Sequence, residues 1–158
     1  MLKIKILGIG KNKDRFIEDG CSHYSKLLSR YAKVEFDFLT SSASSTSLSP
    51  AEIKAREADQ ILARLEKEKG FRIALDNSAR QLNTETFASE IEKWQAHSQG
   101  AMMFVIGGAY GLDSSVTEMA EISLSLSPLT FSHQLVRLAL LEQLYRCFSI
   151  LHGTSYHK

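Results

Sequence analysis

Nothing in this sequence approaches the run of about 20 apolar residues that a membrane-spanning helix requires. The opening MLKIKILGIG has only a short apolar run and no small-residue cleavage site, so it is expected as a first strand and not a signal peptide. Cysteine is scarce. Cys21 and Cys147 are the only two, far apart and without CxxC or Cys/His ligand spacing, and they are expected as reduced core thiols of a soluble cytoplasmic protein. His133, His152 and His157 also lack partners at ligand spacing, so no metal site is expected. Charge of one sign is missing too. A formal net charge of +1 excludes a broad basic surface for wrapping bare nucleic acid; any contact with RNA must be local or read shape. Covalent catalysis is not indicated, because there is no GxSxG and neither cysteine sits in an activating local motif.

What is present is a regular alternation of strand and helix patterns. A chain of 158 residues with 44% apolar and 23% charged positions is expected to fold as a single domain, residues 1–158, around one core. Strand patterns cover residues 2–9, 34–39, 71–76, 101–106 and 122–126. The unbroken apolar run AMMFVI is that of a strand covered on both faces. Helical periodicity covers residues 13–32, with Tyr31 on its apolar stripe. Ser49-Pro50-Ala51-Glu52 supplies a capping box and a proline in the first turn of a second helix, which Gly70 can terminate. Asn83 or Thr84 can cap a third, and Ser115-x-x-Glu118 offers a capping box for a short fourth. Residues 41–49 are serine-rich and expected as a loop. Five strands alternating with helices predict a single-domain α/β fold with a parallel sheet. The final helix, about residues 132–151, is apolar nearly all round. Packing on more than one side is therefore expected, with a homodimer as the commonest source of a partner surface.

Residue types suited to ligand binding gather at the strand ends, where open α/β sheets bind ligands. Gly107 and Gly108, followed by Gly111, let the backbone approach a ligand closely. They do not form a GxGxxG fingerprint, and no phosphate-loop lysine follows. Leu126, Ser127, Pro128, Leu129, Thr130 and Phe131 form a second loop, with hydroxyls and free backbone groups for an adenine edge and apolar walls. His133 stands in the first turn of the last helix, where the positive helix end favours a neutral imidazole fit to act as a base. Arg137 has no local partner and can serve an anionic group. Glu142 and Arg146 can simply pair at i,i+4. The tail ending in Tyr156, His157 and Lys158 is either a frayed end or a flap that stacks on a base.

Together FVIGGxxGL, SLSxLTFxHQLVRxxLxEQLYR and the terminal YHK resemble one family along the full chain: the small SPOUT-class methyltransferases that N3-methylate a pseudouridine of 23S ribosomal RNA. The resemblance implies an S-adenosyl-L-methionine cofactor, a homodimer, a substrate within the assembled ribosome, and a C-terminal trefoil knot, which the general rarity of threaded chains argues against. It implies cofactor contacts by Leu75, Gly107 and residues 126–131. It also implies polar groups near the transferred methyl at His133, Arg137, Arg146, Tyr156 and His157. Ser132 departs from the proline usual before the histidine; a serine there can still cap the helix. The alternatives are a SPOUT enzyme acting on transfer RNA and a non-catalytic ribosome-associated module.

Overall fold

The computed structural model describes residues 1–158. Five strands, β1 (Leu2–Ile9), β2 (Ala32–Leu39), β3 (Phe71–Leu75), β4 (Ala101–Ile106) and β5 (Ile122–Leu124), alternate with five helices, α1 (Arg15–Leu28), α2 (Pro50–Leu65), α3 (Thr84–His97), α4 (Ser114–Met119) and α5 (His133–Leu151). The strands form one sheet in the order β2-β1-β4-β3-β5, and every neighbouring pair is parallel.

Strand side chains alternate between the two faces, and here both faces are covered. Ile4, Ile6, Met102, Phe104 and Ile73 pack with residues of α1, α3 and α5. Leu7, Ile9, Met103 and Val105 pack with Ala58, Ile61 and Leu65 of α2 and Val116 of α4. Of the helices, α5 is covered most, since it lies between α1 and α3 and buries Leu140, Leu141, Leu144, Cys147 and Phe148. Its apolar circumference is thus accounted for largely within one chain. Leu135, in its first turn, and Phe16 of α1 remain exposed.

Local signals held at most boundaries. Ser49 and Glu52 make the reciprocal capping box of α2, and Asn83 caps α3 by accepting from Thr86 N. Ser132 caps α5 by accepting from Leu135 N at 3.2 Å. Several boundaries moved. α1 ends at Leu28 because Ala32 already pairs with Leu2 in the sheet, and Tyr31 stacks from the turn onto Phe148. Asp113, not Ser115, caps α4. β5 is only three residues long, since Ser125 turns away to bond Arg80 O.

A buried cation fastens α5 to β1. Arg137 is fully buried and donates from Nη1 to Asn12 Oδ1 at 2.8 Å and from Nη2 to Ile9 O at 2.7 Å. Its guanidinium lies over the Phe38 ring, 4.6 Å from the centroid. Gly8 faces this group, and a Cβ there would lie 2.9 Å from Arg137 Nη2. Gly8→Ala should therefore destabilise the fold by roughly 1–3 kcal/mol through overpacking, read from urea denaturation. In a double-mutant cycle with Arg137→Met the two losses should be strongly non-additive; simple additivity would show that the two positions do not crowd each other.

Candidate functional site

The C-terminal ends of three adjacent strands, β4, β3 and β5, converge on a cavity of ≈ 610 Å³, within the usual range for small-molecule sites. Beyond β4 the chain turns at Gly107. A Cβ there would lie 2.6 Å from the Gly111 carbonyl carbon, so only glycine lets the turn close on itself. The closure is held by Gly111 N donating to Gly108 O at 3.1 Å, with Gly111 at φ +80°, a conformation glycine adopts at no steric cost. Beyond β3, Asp76 N donates to Leu124 O at 3.0 Å, and the Asp76 carboxylate accepts from Ser78 N and Ser78 Oγ, both at 3.1 Å.

Beyond β5 the wall is built from a loop that satisfies itself. Ser125 Oγ lies 2.9 Å from Ser127 O and 3.2 Å from Asn77 O, and Ser127 Oγ accepts from Leu129 N at 3.0 Å. Ser125 Oγ is thus engaged within the loop, and Ser127 Oγ is used there as an acceptor. Leu129 and Phe131 are exposed at the cavity.

Of the residues expected from sequence, Leu75, Gly107, Gly108, Leu126, Ser127, Leu129, Thr130, Phe131 and His133 line this one cavity. Pro128 is in the same loop but not in the lining. Asp76, Asn77, Tyr110, Ser132 and Val136 line it as well and were not among the ligand contacts expected from sequence. Asp76 and Asn77 directly follow β3, and that adjacency to a strand end was the available signal.

His133 is half-buried, and its pKa lies below the ordinary value. Burial is the first cause, followed by the charges of Arg137 and Lys13. Desolvation and two cations thus keep the imidazole neutral, where sequence reasoning invoked the helix end. Arg137 itself is behind the cavity, not in it. Burial lowers its pKa to about 10, and its two hydrogen bonds bind it to the end of β1.

The remaining polar candidates lie elsewhere in the chain. Arg146 pairs with Glu142, with Nε donating to Oε1 at 3.0 Å, and lies over the Tyr156 ring at 4.7 Å. Tyr156 OH donates to Glu142 Oε1 at 3.1 Å, and burial, with Tyr24 and Glu142, holds its pKa above the usual phenol value. His157 Nε2 lies 3.0 Å from Glu85 Oε1, at a second cavity of ≈ 450 Å³ that shares Leu126, Ser127, Phe131 and Val136 with the first. The tail is docked against α5 and α3. His133 and Arg146 are 13 positions apart on one helix, about 20 Å along its axis at 1.5 Å per residue, so one chain does not bring them together.

The charge of the first cavity is distinctive. Asp76 is its only charged lining residue, and no lysine or arginine lines it. That suits a cationic ligand and not a phosphate. No group of three or more His, Cys, Asp or Glu side chains is placed to hold a metal ion, and no helix is long and apolar enough to cross a membrane. Both cysteines are buried and unpaired.

A family model described as predicted SPOUT methyltransferase matches residues 2–157. The chain is 40% identical over 160 residues to ribosomal RNA large subunit methyltransferase H of Acetivibrio thermocellus, with 99% of this chain and 100% of that protein covered. It is 39% identical, with the same coverage, to the protein of that name from Carboxydothermus hydrogenoformans. Among solved structures, a probable methylase family protein from Haemophilus influenzae matches with a TM-score of 0.59 and 12% identity, covering 98% of this chain and 70% of that one. A Legionella pneumophila protein of the methyltransferase class, solved with its cofactor SAM bound, matches with a TM-score of 0.54 and 12% identity over 92% of this chain and 66% of that one. At that identity the two structures support the fold alone.

The depressed pKa of His133 has a thermodynamic consequence. The unfolded chain takes up this proton before the folded one, so the stability linked to His133 is present above pH 6.5 and lost as pH falls below it. An NMR titration should place the His133 midpoint below 6.5, and His133→Gln should flatten the acid-side loss of stability. A midpoint at or above the ordinary value would contradict the burial and the two cationic neighbours.

Proposed function

This chain belongs to the SPOUT methyltransferase family, and we propose that it transfers a methyl group from S-adenosyl-L-methionine to N3 of a pseudouridine in 23S ribosomal RNA. The observation that carries this reading is the cation-free cavity at three parallel strand ends, with a neutral histidine at its edge, in a chain 40% identical along its length to relatives named for large-subunit ribosomal RNA methylation.

The cofactor fits the donor set. Backbone-walled glycine turns, apolar Leu129 and Phe131, and a carboxyl group suit an adenosyl group joined to a positive sulfonium. When bound, S-adenosylmethionine supplies an electrophilic methyl carried on that sulfonium. The residues of the chain do the rest. The turn of residues 107–111 and the loop of residues 126–131 hold the adenosyl portion and exclude water. His133 accepts the N3 proton as nitrogen attacks, which neutral imidazole can do. Arg137 has both hydrogen-bonding ends engaged. It acts through its field, helping to keep His133 deprotonated and stabilising negative charge as it develops on the base. This reading includes the C-terminal trefoil knot, in which the segments after β3, β4 and β5 form one pocket.

Arg146, Tyr156 and His157 enter this reading through a homodimer. Since one chain keeps Arg146 far from its own His133, the Arg146–Tyr156 pair and the tail serve the pocket of a second copy, where they face the nucleotide. The assembled ribosome is the substrate, and the protein is cytoplasmic with it. A protein of net charge +1 releases few counterions and gains little from phosphate contacts alone, so recognition rests on shape.

Two measurements test this. Labelled methyl should enter intact ribosomes at least about tenfold faster than naked 23S transcript, as expected where shape and not charge supplies affinity. Equal rates would remove the argument from charge, and incorporation into transfer RNA would replace the substrate. Methylation against pH for His133→Ala and His157→Ala should show His133→Ala losing about 100-fold or more, the usual worth of a general base. Wild-type rates in both variants would show that neither takes the proton.

A further inference from the structure

One buried acid lies against the cofactor cavity without belonging to its lining. Glu57, on α2, is 1% exposed. Both its carboxylate oxygens are fully buried and make no hydrogen bond, although the Gly108 N–H approaches closely enough to oppose the effect of burial. The contact is tight: a Cβ on Gly108 would lie 2.7 Å from Glu57 Oε1 and 2.9 Å from Oε2. Gly108 lines the cavity, so the carboxyl is separated from it by a single glycine. A buried, unpartnered acid is among the costlier groups a fold can keep. The packing of α2 against β2 and α4 is aliphatic, through Ala58, Ile61 and Leu65, and gives it no structural partner.

We propose that Glu57 sets the charge preference of this cavity: through Gly108 its carboxylate favours a positively charged ligand, the sulfonium cofactor, over the neutral thioether left once the methyl has gone. The inference rests on the methyl-transfer reading above. It assigns Glu57 a specificity role, that of weakening the product's hold relative to the cofactor's. No charged side chain moves Glu57; burial raises its pKa, and the Gly108 N–H alone opposes. On the neighbouring elements, Lys54 of α2 acts on Asp113 at the start of α4, Tyr110 is the titratable residue of the turn, and Asp76 lines the cavity just beyond β3 with Ser78 as its partner. Glu57 is the carboxyl withdrawn from water, where a nearby cation is screened least. A bound cation favours loss of the Glu57 proton to solvent; a neutral ligand does not.

Isothermal titration calorimetry of the full-length protein with S-adenosylmethionine and with S-adenosylhomocysteine, in two buffers of different ionisation enthalpy, tests this for wild type and Glu57→Gln. Glu57→Gln should weaken S-adenosylmethionine on the order of tenfold, as expected of an opposite charge in a poorly screened site, and leave S-adenosylhomocysteine unchanged. Wild type should release a proton with the first ligand and none with the second, and the variant should release none. Equal loss for both ligands, or loss for neither, overturns the proposal, the former by showing that Glu57 merely supports the Gly108 turn. If Glu57→Gln fails to fold, wild-type proton release decides alone: release specific to S-adenosylmethionine supports the proposal, and equal release with both ligands overturns it. Wild type that binds neither ligand overturns the methyl-transfer reading itself, whereas wild type that binds both without a charge preference overturns only this inference.

Discussion

A guanidinium with no carboxylate partner, buried where the last helix meets the first strand, organises the C-terminal half of this protein. Removing such a charge from water costs several kcal/mol even after relaxation. Arg137 recovers part of it, although its Nε is left without a partner. Two hydrogen bonds to a charged donor contribute about 1.5–3 kcal/mol each, and its place over Phe38 adds up to about 2 kcal/mol. Those contacts exist only if β1 ends at Ile9, position 8 has no side chain and α5 begins at His133. The guanidinium therefore sets where α5 starts, and with it how far the loop after β5 must reach.

The same cation shapes the site without entering it. Its charge, added to burial, keeps His133 neutral, while the cavity wall beside that histidine holds a carboxyl and no lysine or arginine. Positive charge lies behind His133, while the carboxyls stand on the cavity side, Asp76 in the lining and Glu57 behind Gly108. This separation suits a reaction in which a cation gives up its charge while the other reactant loses a proton. It depends on glycine at both tight points. Gly8 admits the guanidinium and Gly108 admits the Glu57 carboxyl, and any larger residue would displace the charge from its place.

The tail shows how context overrides a local expectation. Chain ends fray when nothing holds them, and GTSYHK carries little apolar surface. Yet Tyr156 packs edge-on against Tyr145 with centroids 4.7 Å apart, beneath the Arg146 guanidinium and bonded to Glu142. Arg146 and Glu142 do form the i,i+4 pair their spacing predicts, and the paired groups then act as a platform for the tyrosine.

The sequence by itself determined the alternation of five strands and five helices, the Ser49–Glu52 capping box, and the two loops, residues 107–111 and 126–131, that wall most of the cavity. Each of these rests on periodicity, cap chemistry or glycine placement within a few residues, and such signals survive without knowledge of the fold. Only the tertiary structure decided the strand order β2-β1-β4-β3-β5, which depends on pairing between distant segments. It moved Arg137 behind the site, because its acceptor, the Ile9 carbonyl, is 128 positions away. It also buried Glu57, which in the sequence is one more acid on a charged helix, beneath a glycine turn of another strand. The reason is common to the last two. A charged residue looks solvent-facing until the element that covers it is known, and the covering element is never its neighbour in sequence.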